Sequence, residues 1–273
     1  MMAKKSFWKL PAVMKKLIFL LCFITAGFNL WAESVFTLSL KKDIAISTLA
    51  LGLFLSHYLI DNREGLPNNL DRNNVNVFDR GLMFPHNTSF NTTKNILGYG
   101  LQVLPIITPL ALAGLDIRNR DTISIWLTYG VMYAQAMLLT QGTRRWLGVL
   151  VDRYRPRDYF LDVIVYPICN RSFPSGTTAY AFMPAAFFSV TFSAEFPNSP
   201  WRIPIIVGTH TLAASVGVFR ILSGHHFLTD VLAGAVIGSF FGWLIPTVHI
   251  RANGDNRFSF RFTGNGAVMS LSF

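Results

Sequence analysis

Six apolar stretches, each close to the roughly 20 residues a helix needs to cross a bilayer, constrain this chain more than any other feature. They run over about 43–60, 96–115, 121–142, 177–194, 203–221 and 228–248. Lipid offers no partner to a backbone N–H or C=O, so such stretches must close their hydrogen bonds internally, as helices. The expected fold class is therefore all-α, a six-transmembrane-helix bundle. Composition agrees: 51% of the 273 residues are hydrophobic, only 14% are charged, and the mean hydropathy is +0.39. A soluble domain carries about 25% charged residues. The second stretch contains Pro105 and Pro109 and the fourth Pro184, which a packed bundle tolerates because neighbouring groups take up the freed carbonyls. The sixth contains Ala233, Gly234, Ala235 and Gly238, small residues suited to close helix approach.

The chain divides into three parts. Residues 1–32 read as a signal peptide or leader: Lys15 and Lys16 precede an apolar run from Leu17 to Gly27, with a small residue, Ala32, before Glu33. An uncleaved anchor helix is the alternative. Residues 43–249 form the membrane domain. Residues 250–273 alternate apolar and polar side chains, as in Arg257-Phe258-Ser259-Phe260-Arg261-Phe262, and suggest a strand or an interfacial segment. The net charge of +10 could point to nucleic acid, but the basic residues gather at span ends and in one connection, where anionic headgroups explain them better. Cys22 and Cys169 make no disulfide framework, and neither a metal nor a cofactor is expected.

If successive spans alternate direction, the connections 61–95, 143–176 and 222–227 emerge on one face. Those connections hold the chemistry. Residues 143–176 contain six arginines, at 144, 145, 153, 155, 157 and 171. Pro174-Ser175-Gly176 opens the fourth span, where a helix N-terminus presents free N–H groups to an anion. Arg220 closes the fifth span, with His226 and Asp230 following it. Guanidinium forks match phosphate oxygens. If the helix begins before His226, then His226 and Asp230, at i and i+4, share a face, and the carboxylate is expected to fix the imidazole tautomer and leave the other nitrogen free to attack.

These residues resemble the type 2 phosphatidate phosphatase superfamily, which includes the vanadium haloperoxidases. The matching motifs are Arg155-Pro156, Pro174-Ser175-Gly176, and Arg220 with His226 and Asp230 at the family spacing. The resemblance implies a metal-independent lipid phosphate or diphosphate phosphatase acting on phosphatidate, polyprenyl diphosphate or lipid A phosphate within the bilayer. His226 would form a phosphohistidine with Asp230 orienting it. Arg220, Arg155, Ser175 and Gly176 would hold phosphoryl oxygens, with Arg145 and Thr177 added to that set. The expected setting is a bacterial cell envelope, as a multi-pass inner-membrane protein with its site facing outward.

Three positions depart from the pattern. Gly148 stands where the family has lysine, leaving Arg145, Arg153 or Arg144 to supply that charge. Phe219 replaces a serine. Thr177 replaces the histidine that protonates the leaving group, a step worth about 10²–10⁴-fold. Another histidine (His225, His210 or His57) could act instead, or the leaving group could need less help, as a phosphate leaving a diphosphate does. A third possibility is that the protein binds phosphorylated lipid and turns it over poorly. A phosphotransferase is the enzymatic rival. His86 and His249 read as interfacial, and Asp61, Asp71 and Asp79 as solvated loop residues. Sidedness signals conflict: Lys41-Lys42 favours an outward site, while a cleaved leader and the arginine-rich connection favour an inward one.

Overall fold

A computed structural model describes residues 34–57, 70–113, 120–151, 153–160, 171–251, 258–263 and 266–271. The leader expected over 1–32 lies outside the described residues. Helices occupy all six expected places. They are α1 (Leu40–Ser56), α3 (Asn91–Val103) continued by α4 (Ile107–Ala113), α5 (Arg120–Leu150), α6 (Gly176–Glu195), α7 (Arg202–Leu222) and α8 (Leu228–His249). A short helix, α2 (Val77–Arg80), lies in the first long connection. Between α3 and α4 the chain tightens into a 3₁₀ turn, Leu104–Ile106, because Pro105 has no N–H to donate there.

Among the described residues, four segments are long and apolar enough to cross a membrane: Asn95–Leu112, Asp121–Leu150, Arg202–Leu222 and Leu228–His249. The helix α6 differs from these in being largely buried, with Thr178, Ser189 and Thr191 turned inward. It forms the centre of the bundle. Its hydroxyls are satisfied there: Ser189 Oγ donates to the Ala185 carbonyl at 2.7 Å, and Thr191 Oγ1 to the Phe188 carbonyl at 3.2 Å.

A glycine every fourth residue sets the main packing contact. A Cβ at Gly234, Gly238 or Gly242 of α8 would collide with the carbonyl oxygens of Ser175, Ala179 and Met183 of α6, in that order. The two backbones therefore lie directly against one another over two turns, as small residues at every fourth position allow. This contact fixes the depth of the α6 N-terminus relative to α8, and both helix starts carry site residues. A larger apolar core of Phe36, Tyr129, Met132, Met183, Phe187 and Ile245 fills the opposite end.

The helix α5 continues eight residues past the apolar limit of 142 expected from sequence. At 1.5 Å per residue this carries the helix about 12 Å further, so Arg144, Arg145 and Gly148 stand on a helix and not in a loop. His249, expected at an interface, is fully buried: its Nε2 pairs with Asp43 Oδ1 at 2.6 Å, and Gln135 donates to the same carboxylate at 3.1 Å. Burial of the pair is offset by these hydrogen bonds. The tail forms an antiparallel hairpin of β1 (Phe258–Thr263) and β2 (Gly266–Leu271), in keeping with the strand expected there.

The helix contact gives a direct test. Gly238→Val should lower the thermal unfolding temperature in detergent markedly, costing roughly 3 kcal/mol or more through overpacking. Gly130→Ala, where a Cβ meets nothing within 4 Å, should leave it within about 0.5 kcal/mol.

Candidate active site

The N-terminus of α8 organises the site. Phe227 is its N-cap in extended conformation, and the carboxylate of Asp230 reaches back to accept from the Phe227 N–H at 2.9 Å. Asp230 is fully buried and takes two further donors: Ser172 Oγ at 2.5 Å and an Arg153 guanidinium nitrogen at 2.7 Å. These contacts draw together the α8 start, the strand-like segment before α6 and the chain following α5. The Ser175 N–H also donates to the Asp230 carbonyl, at 2.9 Å.

His226 lies beside this cluster and is buried. Its Nδ1 is 2.7 Å from the Ser172 carbonyl and 3.7 Å from Asp230 Oδ2. The short contact is to a carbonyl, which can only accept, so Nδ1 carries the proton and Nε2 carries the lone pair. The sequence led us to expect that Asp230 would set this tautomer itself. The structure gives the task to the Ser172 carbonyl, while Asp230 holds Ser172 by its hydroxyl. An Arg220 guanidinium nitrogen lies 3.0 Å from Nε2. Burial pushes the His226 pKa down to about 4, the charges of Arg220 and Arg155 push the same way, and Asp230 opposes them. The imidazole is thus neutral at neutral pH, the state a nucleophile needs.

Arg220 is in the last turn of α7 and buried. Arg155 precedes a 3₁₀ helix, Pro156–Phe160, whose Asp158 accepts from the Arg155 N–H at 3.0 Å. Ser175 is the N-cap of α6, and its Oγ lies 2.9 Å from Thr178 Oγ1. An ideal Cβ at Gly176 would fall 2.8–3.0 Å from Cδ, Nε and Cζ of Arg144, so that guanidinium lies directly over the helix start. Arg220 and Arg155 set positive charge beside the buried imidazole, and the α6 start is tied to the same cluster through the Ser175 N–H; guanidinium groups and a helix N-terminus are donors of the kind that suit a phosphoryl group.

Other expected residues lie elsewhere. Arg145 bonds His57 Nε2 at 2.5 Å, one helix position away from Arg144. The Thr177 side chain turns its methyl toward Gly98 of α3. His225 Nδ1 lies 2.8 Å from Ser223 Oγ, and its ring contacts His86 with centroids 5.3 Å apart. His210 bonds the Ile206 carbonyl within α7 at 2.8 Å and packs on Phe182, some ten residues before Arg220.

Asp79 is the residue that sequence reasoning misread. Expected to be solvated, it is fully buried and accepts from the Thr229 N–H at 3.0 Å, Thr229 Oγ1 at 2.6 Å and Arg153 at 2.5 Å. Burial pushes its carboxyl up, but the hydrogen bonds from Arg153, Thr229 and Asn76 outweigh that and hold it below the usual carboxylate value. Arg153 therefore bridges two buried carboxylates, Asp79 and Asp230, and stacks over Phe227 at 4.0 Å. The one sequence signal was Asn76 three residues before Asp79, a helix-capping spacing, and Asn76 does accept from the Asp79 N–H at 3.0 Å.

The apolar helices of membrane length are those of an integral membrane protein. Residues 126–253 match the PAP2 superfamily model. The lipid A 1-phosphatase of Porphyromonas gingivalis (strain ATCC 33277) is 29% identical over 171 residues, which is 63% of this chain and 34% of that protein. The chain thus spans about a third of that curated relative. A solved transmembrane PAP2-type phosphatidylglycerolphosphate phosphatase from Bacillus subtilis aligns at 18% identity over 76% of this chain and 95% of its own, with a TM-score of 0.43.

Two measurements follow from this geometry. In ¹⁵N-histidine spectra of the substrate-free protein, His226 should remain the neutral Nδ1–H tautomer down to about pH 5; a midpoint between pH 6 and 7 would contradict the burial argument. Asp79→Asn should destabilise the protein by roughly 3 kcal/mol in thermal unfolding, because it leaves Arg153 facing one carboxylate where it now faces two.

Proposed function

We propose that this protein is a lipid phosphate phosphatase in which His226 attacks phosphorus. One observation carries the reading: Nδ1 of the buried His226 is committed to the Ser172 carbonyl, leaving the Nε2 lone pair beside Arg220 at 3.0 Å. In the first step the Nε2–P bond forms and the bond from phosphorus to the leaving oxygen breaks. Water then attacks the phosphohistidine and releases inorganic phosphate. Arg220 and Arg155 hold the phosphoryl oxygens with the Gly176 N–H at the start of α6, and Arg144 supplies the charge that the family places at residue 148. Charge developing on those oxygens meets donors already in position, which is the main source of acceleration in phosphoryl transfer. As His226 takes on positive charge, Asp230 and the Ser172 carbonyl stabilise it.

The lipid A 1-phosphatase relative supports a membrane lipid as the phosphate carrier. The α1 start, with Lys41 and Lys42, and the site lie at opposite ends of that helix, since His57 at its other end meets Arg145. Lysines on the cytoplasmic side would then place the site outward, at the far face of a bacterial inner membrane.

The test is trapping. Purified protein given lipid with ³²P in its terminal phosphate should form an acid-labile, base-stable phosphoprotein. His226→Ala should abolish it and lower phosphate release at least about 10³-fold, and Arg220→Gln should lower release by about 10²-fold. Turnover retained in His226→Ala would overturn the assignment, and tight lipid-phosphate binding without turnover in the wild type would favour a binding protein instead.

A further inference from the structure

Two carboxylates meet the start of α8, and only one of them stands beside His226. Asp230 caps its own helix through the Phe227 N–H. Asp79 comes from the first long connection, outside the residues 126–253 that match the superfamily model, and accepts from the Thr229 N–H at 3.0 Å. A helix N-terminus has unpaired amides of this kind, and its dipole favours negative charge beside them. A neutral asparagine would cap such an amide as well, yet the residue is a fully buried aspartate. Its charge is explained by what else it touches.

That partner is Arg153. One guanidinium nitrogen donates to Asp79 Oδ2 at 2.5 Å, and the other donates to Asp230 Oδ1 and to Thr229 Oγ1, both at 2.7 Å. Thr229 Oγ1 in turn donates to Asp79 Oδ2 at 2.6 Å. One positive charge thus serves two buried carboxylates, and the trio keeps a net negative charge. With a neutral residue at 79, Arg153 would be left to Asp230 alone and would cancel it. The two oxygens of Asp230 divide accordingly. Oδ1 is taken by Arg153, while Oδ2, 3.7 Å from His226 Nδ1, takes the neutral donors Ser172 Oγ and the Phe227 N–H. Arg220 and Arg155 oppose positive charge on the His226 ring. Tyr159, edge-on to Phe227, is pushed up by burial and adds no charge at neutral pH. When Nε2 bonds to phosphorus with Nδ1 still protonated, the ring becomes cationic, and the net negative charge of the trio offsets the two arginines.

We infer that Asp79 is a positioning residue for the reaction. It draws the Arg153 guanidinium between two carboxylates, which holds Asp230 in place and leaves it the charge to support His226 as the ring turns positive. This rests on the phosphatase reading above and adds to it a residue from a separate connection. Asp79 acts through Arg153 and Asp230 and not on the phosphate, so its loss should fall on kcat and spare KM.

Full-length wild type, Asp79→Asn, Asp79→Glu and the double variant Asp79→Asn/Arg153→Gln are compared in nanodiscs. The readouts are ¹⁵N-histidine spectra and phosphate release from phosphatidate or lipid A, whichever the wild type hydrolyses faster. Asp79→Asn makes the trio neutral, whereas the double variant removes one charge of each sign and restores the net charge. At pH 4, where wild-type His226 is about half protonated, Asp79→Asn should show mostly the neutral ring, and the double variant should return to the wild-type level or above it. A loosened site would act in the opposite sense, because water reaching His226 raises its midpoint toward the ordinary value of about 6.5. Asp79→Asn should lower kcat about tenfold with KM within about twofold, and Asp79→Glu and the double variant should recover most of that loss. A raised His226 midpoint in Asp79→Asn, or a double variant slower than the single one, overturns the inference. If Asp79→Asn does not fold, the double variant decides: kcat within about tenfold of wild type supports charge sharing, and a larger loss overturns it. Absence of turnover in the wild type would count against the phosphatase reading, while the spectra would still decide the role of Asp79.

Discussion

The carboxylate of Asp230 is the point on which the site depends. It accepts the N–H of its own helix cap, the hydroxyl of Ser172 and the guanidinium of Arg153, and it is fully buried while doing so. A buried charge is tolerable only when its lone pairs are filled, and these three donors come from three separate stretches of chain. Satisfying one carboxylate therefore assembles the site. Ser172 is then placed so that its carbonyl fixes the His226 tautomer, and Arg153 is placed so that its second nitrogen draws in Asp79 and the connection preceding α3.

The arginines of this face do different work although composition makes them look alike. Arg153 is neutralised by two carboxylates and acts as a clasp. Arg220 is buried against the His226 ring, and Arg144 covers the start of α6. Arg145 is turned to His57 and Arg171 to a neighbouring cavity. Arg220 and Arg155 both set positive charge against the His226 imidazole, where like charges repel one another.

The site residues are positioned by the bundle they stand on. The α6 and α8 backbones touch through Gly234, Gly238 and Gly242, so Ser175 and Asp230, at the tops of the two helices, keep a fixed separation that the Ser175 N–H to Asp230 carbonyl bond then completes. Lipid gives apolar helices little reason to prefer one another, and close backbone packing supplies that preference. The buried Asp43–His249 pair ties α1 to α8 at the other end of the bundle.

Local sequence was enough to determine the helices, because apolar runs of membrane length have no other way to satisfy their backbones. It also showed small residues at 233, 234, 235 and 238 on α8, and the family resemblance singled out Arg155, Ser175, Gly176, Arg220, His226 and Asp230. Which arginine stands at the helix start was not legible, because Arg144 and Arg145 differ only in helical phase, and α5 had to continue past its apolar part for that phase to matter. Asp79 was not legible either. Burial of a loop aspartate depends on a partner, Arg153, that lies 74 residues away and meets it only when the chain is folded. The cavity beside the site is of the same kind: residues from the end of α1, from α5 and from the segment before α6 line it, and only tertiary packing brings them around one space.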